Sequence, residues 1–402
     1  MKRRQFLHLT SSSFLWPKLL QAGPLDEQLF LFVYVRGGWD PTFVFTNQIG
    51  NNNVYTQAGC YAAEANGIPY VAHPSRPSVD RFFQDFGDQT CVINGIEIES
   101  LTHDACQRIL FTGQPSAGKD DWPSIIGSQS TQRLPVMVVS GPSYTVNYTN
   151  AVIRSGEDGQ LSKLLNGSVH QQSDQPITTL SPDAQTRVQA FLNGRVASLS
   201  DEEAFARSLK QVYDQRQNSS VLSSLQLGSS TGFTPVPDQV AAAIPTLSEG
   251  LSRCLVIEHN GLYESGWDQH SSIDNQSDHF ELLFSDLCNI VDSLNTWGGA
   301  AFAQRVTMVV FSEMGRAPTL NTLAGKDHWT YTSAMIISQN IQGGRTIGGF
   351  NTNLIGQRVD PLSGSIAESG ARITANHLGA GLLQLADVDP SMFLPQTTPL
   401  LL

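Results

Sequence analysis

The chain has 402 residues, enough to bury one large α/β core or to form two or three smaller domains. Hydrophobic residues at 40% and charged residues at 15% exclude an intrinsically disordered chain. A net charge of −12 leaves no basic face to neutralise phosphates, which excludes a nucleic-acid partner.

The N-terminus carries Arg3-Arg4 followed by Phe6-Leu7, the pattern of a twin-arginine export signal, with a cleavable stretch ending near Gly23. Residues 1–23 are therefore expected to engage the twin-arginine export machinery and to deliver the protein to the periplasm or outside the cell. Pro17 and Lys18 interrupt this segment, so it forms no stable membrane span, and no other stretch approaches about 18 continuous apolar residues. Cys60, Cys91, Cys106, Cys254 and Cys288 include no CxxC pair, which argues against a thiolate zinc site.

Leu29–Val35 is a continuous apolar run, as expected of a strand buried on both faces, and it ends in Arg36-Gly37-Gly38-Trp39-Asp40. Residues 41–77 are rich in Asn, Gly and Pro and predict little regular structure. Val79, Phe82, Phe83 and Phe86 predict a helix, and Thr90–Ile98 predicts the next strand. Leu101–Gly113 reads as a helix capped by Ser100 or Thr102, with His103 and Asp104 in its first turn. A short strand is expected over Leu134–Val139. From about 147 to 250 the chain is Ser-, Gln- and Asn-rich, which predicts a variable helical insertion with helices near 183–193 and 202–214 and a loop at 226–238.

Cys254–Ile257 resumes the core, and the loop after it holds Trp267, Asp268, Gln269 and His270. Phe280, Leu283, Phe284, Leu287, Ile290, Val291 and Leu294 lie on one helical face. A strand over 306–311 then runs into Glu313, Asp327 and His328, followed by a strand at Ser333–Ser338 and a last helix at 372–386. Strands alternating with helices predict a parallel sheet with crossover helices.

Asp40, Asp268, His270, Glu313, Asp327 and His328 all follow apolar strands, so a parallel sheet would gather them at its carboxyl edge. Carboxylates packed together repel one another unless a cation joins them. Mixed oxygen and imidazole donors suit a divalent metal, zinc first, with manganese, iron or calcium as alternatives, bound as one or two ions.

The motifs RRxFL, RGGWD, THDACQRILFTG, GWDQH, FSEMGR and GKDH, in this order over essentially the whole chain outside its middle, resemble the exported "domain of unknown function 1501" family, a relative of the alkaline phosphatase and sulfatase superfamily. The resemblance implies an alkaline-phosphatase-like α/β sandwich, a doubly wound, mostly parallel sheet flanked by helices in a single domain over 24–402, with its site at the carboxyl edge of the sheet. It implies metal-ligand roles for Asp40, Asp268, His270, Glu313 and His328, with Asp327 as ligand or supporting partner. The position of that superfamily's Ser, Thr or modified-Cys nucleophile, counted back from Gly113, falls on His103, and Leu110 stands where sulfatase maturation uses arginine after a cysteine. His103 is thus expected to ligate metal, to move a proton or to attack directly.

Arg36, Arg108 and Arg316 are candidates for gripping an anionic small-molecule or glycan substrate. The expected activity is an exported metal-dependent hydrolase, sulfatase- or phosphatase-like, using metal-activated water or His103. The alternative is an inactive metal-bound relative that binds an anion or glycan or serves in cell-surface assembly.

Overall fold

All seven residues of Leu29–Val35 (β1) are buried, because this strand lies in the middle of an eight-stranded sheet. The structure, a computed structural model, describes residues 27–46, 48–155, 181–197, 235–263 and 265–402. The expected export signal at 1–23 and the helical pattern at 202–214 lie outside the described residues. Tyr61–Ala65 (β2) and Ile68–Ala72 (β3) form a separate hairpin. The other strands of the large sheet are Thr90–Glu97 (β4), Val136–Val138 (β5), Val152–Arg154 (β6), Cys254–His259 (β7) and Val306–Ser312 (β8), then Tyr331–Ile337 and Arg345–Gly348. Between the last two of these and β8 come Gly315–Arg316 (β9) and His328–Trp329 (β10), a small antiparallel pair, so Tyr331–Ile337 is β11 and Arg345–Gly348 is β12.

The order across the sheet is β12-β4-β11-β8-β1-β7-β5-β6, and every pairing is parallel except those made by β11. This is the mostly parallel α/β architecture expected from the sequence. Val35 is level with His259 on one side and with Ser312 on the other, so β1, β7 and β8 end on a common edge.

Alternation along β1 divides the core. Leu29, Leu31, Val33 and Val35 pack on one face with Val79, Phe82, Phe83 and the stripe Phe280, Leu283, Phe284, Leu287 and Ile290. Phe30, Phe32 and Tyr34 pack on the other with Ile109, Leu110, Phe111, Trp122 and Leu378. Helices therefore cover both faces, which explains why the central strands carry no alternation of polar and apolar residues.

The helices are Pro41–Val44 (α1), Pro77–Phe86 (α2), His103–Thr112 (α3), Trp122–Ser128 (α4), Pro182–Ala197 (α5), Val236–Ser248 (α6), Asn275–Gly298 (α7), Ala300–Arg305 (α8) and Ala375–Leu385 (α9). Two departures from expectation have local causes. Residues 41–77 hold α1 and the β2–β3 hairpin, which its Asn and Gly residues conceal. The region expected as an insertion contributes β6 to the sheet edge, and α6 begins inside the expected loop at 226–238. Val236, Val240, Ile244 and Leu247 of α6 are buried in the core, so tertiary packing carries a helix that contains Pro245. β7 and β8 are joined through α7 and lie on either side of β1. No helix among the described residues is long and apolar enough to cross a membrane.

Gly113 closes α3 in the left-handed region (φ +78°, ψ 7°), and a Cβ there would collide with the Asn376 amide of α9. Gly113→Ala should cost about 1–2 kcal/mol from backbone strain alone. Displacing Asn376 adds to that. Thermal unfolding checks this, and an unchanged midpoint would contradict the close docking of α9 on α3.

Candidate metal centre

The common edge of β1, β7 and β8 receives side chains from four segments. Glu313 follows β8 and is 1% exposed. One of its oxygens, Oε1, accepts from the Gly37 amide (2.9 Å) and from His103 Nδ1 (2.8 Å), while Oε2 accepts from Ser312 Oγ (3.1 Å). Gly37 has φ +118°, and a Cβ there would stand 2.9 Å from the Asp268 amide nitrogen. Only glycine lets the Trp267–Asp268 segment approach the end of β1 this closely.

His103 opens α3 and turns its ring into the same space. Its Nδ1–H donates to Glu313, leaving Nε2 buried, 3.4 Å from Asp268 Oδ2 and without a hydrogen bond. His328 is held in the same way: its Nδ1–H donates to the Leu101 carbonyl at 2.6 Å, so its Nε2 carries the lone pair. That nitrogen lies 3.7 Å from Asp268 Oδ1. His270 places Nδ1 3.5 Å from Asp327 Oδ1 and Nε2 3.2 Å from Asp268 Oδ1. The Nε2 atoms of His270 and His328 are 3.0 Å apart. Two imidazole nitrogens in such contact need a proton or a cation between them.

The ligand atoms of His103, Asp268 and His328 all lie within 4.8 Å of one another, and His270 joins them by the distances just given. Zinc bonded to nitrogen at about 2.0–2.1 Å in a tetrahedral site holds its ligand atoms about 3.3 Å apart. The contacts here run from 3.0 to 3.7 Å. An oxygen acceptor on each Nδ1, with Nε2 facing inward, is the arrangement that orients imidazole ligands toward a metal. His103, Asp268 and His328 therefore fit a divalent ion, while His270 Nε2 also lies 3.4 Å from Arg316 Nη1.

The local electrostatics agree. The Asp268 and Glu313 carboxylates push the His103 imidazole up to about 9. Burial works to raise Asp268, but the adjacent His103 imidazole and the Arg316 guanidinium outweigh it and hold this carboxyl well below the usual range. Burial lowers His328, and the positive charge of Arg316 adds to that effect. Asp327 is lowered by its hydrogen bond from Asn321 and by His270.

Three of the residues expected at the site take other places. Asp40 is 0% exposed, and its Oδ2 accepts from Lys326 Nζ at 2.6 Å, so an ammonium stands where an ion was expected. Glu313 has its oxygens engaged by the donors named above and supports His103 from behind. Arg316, expected to meet substrate, is 0% exposed and donates to the Gly37 and Gly38 carbonyls and, at 2.5 Å, to Asp268 Oδ1. It ties the β1 end to the Asp268 loop instead.

Arg36 remains 64% exposed near Glu258 (3.5 Å), and Arg108 lies over the Tyr144 ring at 4.5 Å. Trp329 stacks on Phe350 with ring centroids 4.8 Å apart, so it packs against its neighbours in the fold. Lys326 is the residue that sequence reasoning missed. Flanked by Gly325 and Asp327 in a polar loop, it gives no local sign of burial.

No family model matches the chain, and no curated protein matches it. Among solved structures, the lipoteichoic acid synthase LtaP from Listeria monocytogenes is similar at 9% identity and a TM-score of 0.39, covering 94% of this chain and 77% of that one. The phosphonate monoester hydrolase of Agrobacterium radiobacter is similar at 11% identity and a TM-score of 0.36, covering 92% and 78%. A protein in complex with its substrate D-glucosamine-2-N,6-O-disulfate is similar at 10% identity and a TM-score of 0.37, covering 90% and 77%. At these scores the likeness is one of outline, and the functional assignment rests on the side chains at the sheet edge.

Proposed function

We propose that the protein is an exported, metal-dependent hydrolase of phosphate or sulfate esters, with one site built from His103, Asp268, His270 and His328. The observation that carries this reading is the convergence on Asp268 of three Nε2 atoms, from rings whose Nδ1 atoms face oxygen acceptors. A divalent ion held there would supply Lewis acidity to an ester oxygen and to water. The protein's own groups do the rest. Glu313 keeps the proton on His103 Nδ1, Asp327 faces His270 Nδ1, and the Leu101 carbonyl fixes His328. Arg36 and Arg108 are the guanidiniums left to grip an anionic small molecule or glycan, because Arg316 is buried. The twin-arginine pattern at Arg3-Arg4 supports a location in the periplasm or outside the cell.

The test is elemental analysis of the exported protein followed by a panel of aryl phosphates and sulfates. The expected result is a tightly held divalent ion, with zinc favoured by the imidazole-rich donor set, and turnover that falls to background in His103→Ala and Asp268→Asn. Ion without turnover would overturn the hydrolase and leave an anion- or glycan-binding protein. Neither ion nor turnover would sink both.

A further inference from the structure

Asp268 and Asp40 at this edge each have a resident side-chain cation, but the two are used differently. On Asp268 the Arg316 guanidinium takes Oδ1, and Oδ2 still faces His103 Nε2. On Asp40 both oxygens are engaged. Oδ1 accepts from the Thr42 amide (2.9 Å) and from Thr42 Oγ1 (2.7 Å), and Oδ2 accepts from Lys326 Nζ (2.6 Å). The same ammonium donates to Thr42 Oγ1 at 2.8 Å and lies 5.4 and 5.8 Å from the centroids of the Phe43 and Tyr55 rings. The side chains of Asp40 and Lys326 are both 0% exposed.

A fully buried carboxylate needs a compensating positive charge, and here the chain supplies its own. A divalent ion bonded to Asp40 would have to enter beside a buried ammonium, which Coulomb repulsion at low dielectric opposes strongly. We infer that Lys326 is a tethered cation that fills the place of an ion at Asp40, so that the protein binds a single ion, at the His103–Asp268–His328 cluster. This rests on the metal-site reading above and adds the number of ions and a role for Lys326.

The backbone of Lys326 is held in its loop independently of the ammonium. It directly precedes Asp327 and His328, its amide donates to the Gln269 carbonyl at 3.1 Å, and its carbonyl accepts from Arg316 Nη1 at 3.4 Å. These backbone bonds, which a change of side chain leaves in place, tie the segment that carries His328 to the Asp268 loop.

The experiment counts ions. Full-length exported protein is saturated with Zn²⁺, desalted, and its zinc-to-chain ratio measured for the wild type, for the charge-neutral double variant Asp40→Asn/Lys326→Met and for His328→Ala. The inference expects one zinc per chain in the first two and a loss of at least tenfold in retained zinc in the third. Two zincs per wild-type chain would overturn it and leave the hydrolase reading standing, as would loss of the zinc from a double variant whose circular dichroism matches the wild type. If that variant does not fold, the wild-type ratio alone decides. No zinc in the wild type would overturn both readings.

Discussion

Lys326→Met should lower the unfolding free energy of the metal-free protein by about 3–5 kcal/mol, the usual range for removing one partner of a buried ion pair. The reason lies in what remains. Asp40 would stay buried with only the Thr42 donors on its Oδ1 and no donor on Oδ2. Methionine fills much of the volume of the lysine stem, so a cavity contributes little and the loss reports the charge. The double variant Asp40→Asn/Lys326→Met should recover most of the stability, because replacing a whole buried pair by neutral groups is often close to neutral. Denaturant unfolding in the presence of a chelator reads all three proteins on one scale. A single variant within about 0.5 kcal/mol of wild type, the range of an ordinary surface substitution, would mean that the pair is not buried as described.

What the sequence revealed of this arrangement, and what it hid, follows from the range of the interactions. The runs at Leu29–Val35, Cys254–Ile257 and 306–311 were legible as central strands because a strand buried on both faces must be apolar throughout, and these three lie side by side. Once they are adjacent, the polar residues that follow them share one edge, which made Asp268, His270, Glu313 and His328 legible as a group. Their division of labour was not. Whether a carboxylate meets an ion or an imidazole Nδ1–H depends on partners far away in the chain: Glu313 meets His103 across 210 residues and Asp40 meets Lys326 across 286. Edge elements were lost for a simpler reason. Val152–Arg154 and Arg345–Gly348 are short and only partly buried, so they carry little apolar patterning.

Between pH 6.5 and 9 the metal-free protein should lose stability while its grip on zinc tightens. His103 sits between Asp268 and Glu313, and these carboxylates push its imidazole from the ordinary 6.5 up to about 9. A folded-state value above the unfolded one means that the native protein binds the extra proton. That contribution is complete below pH 6.5 and disappears as the pH rises through about 9. Other shifted groups act mainly outside the upper part of this window. Burial pushes Asp286 up to about 7 and Asp121 to about 6, so their effects are largely complete by neutrality. Burial lowers His259 to about 3 and His279 to about 4, so theirs lie below pH 6.5.

Zinc runs the other way, because it needs the lone pair that the proton occupies. Its affinity should rise about tenfold per pH unit until His103 is neutral, the signature of one displaced proton. Chelator competition at pH 7, 8 and 9 measures the affinity, and thermal unfolding with and without EDTA measures the opposing stability trend. Glu313→Gln removes one of the two anions on the imidazole and should flatten both slopes. An EDTA-treated protein equally stable at pH 7 and pH 9, or a zinc affinity indifferent to pH, would remove His103 from the ligand set.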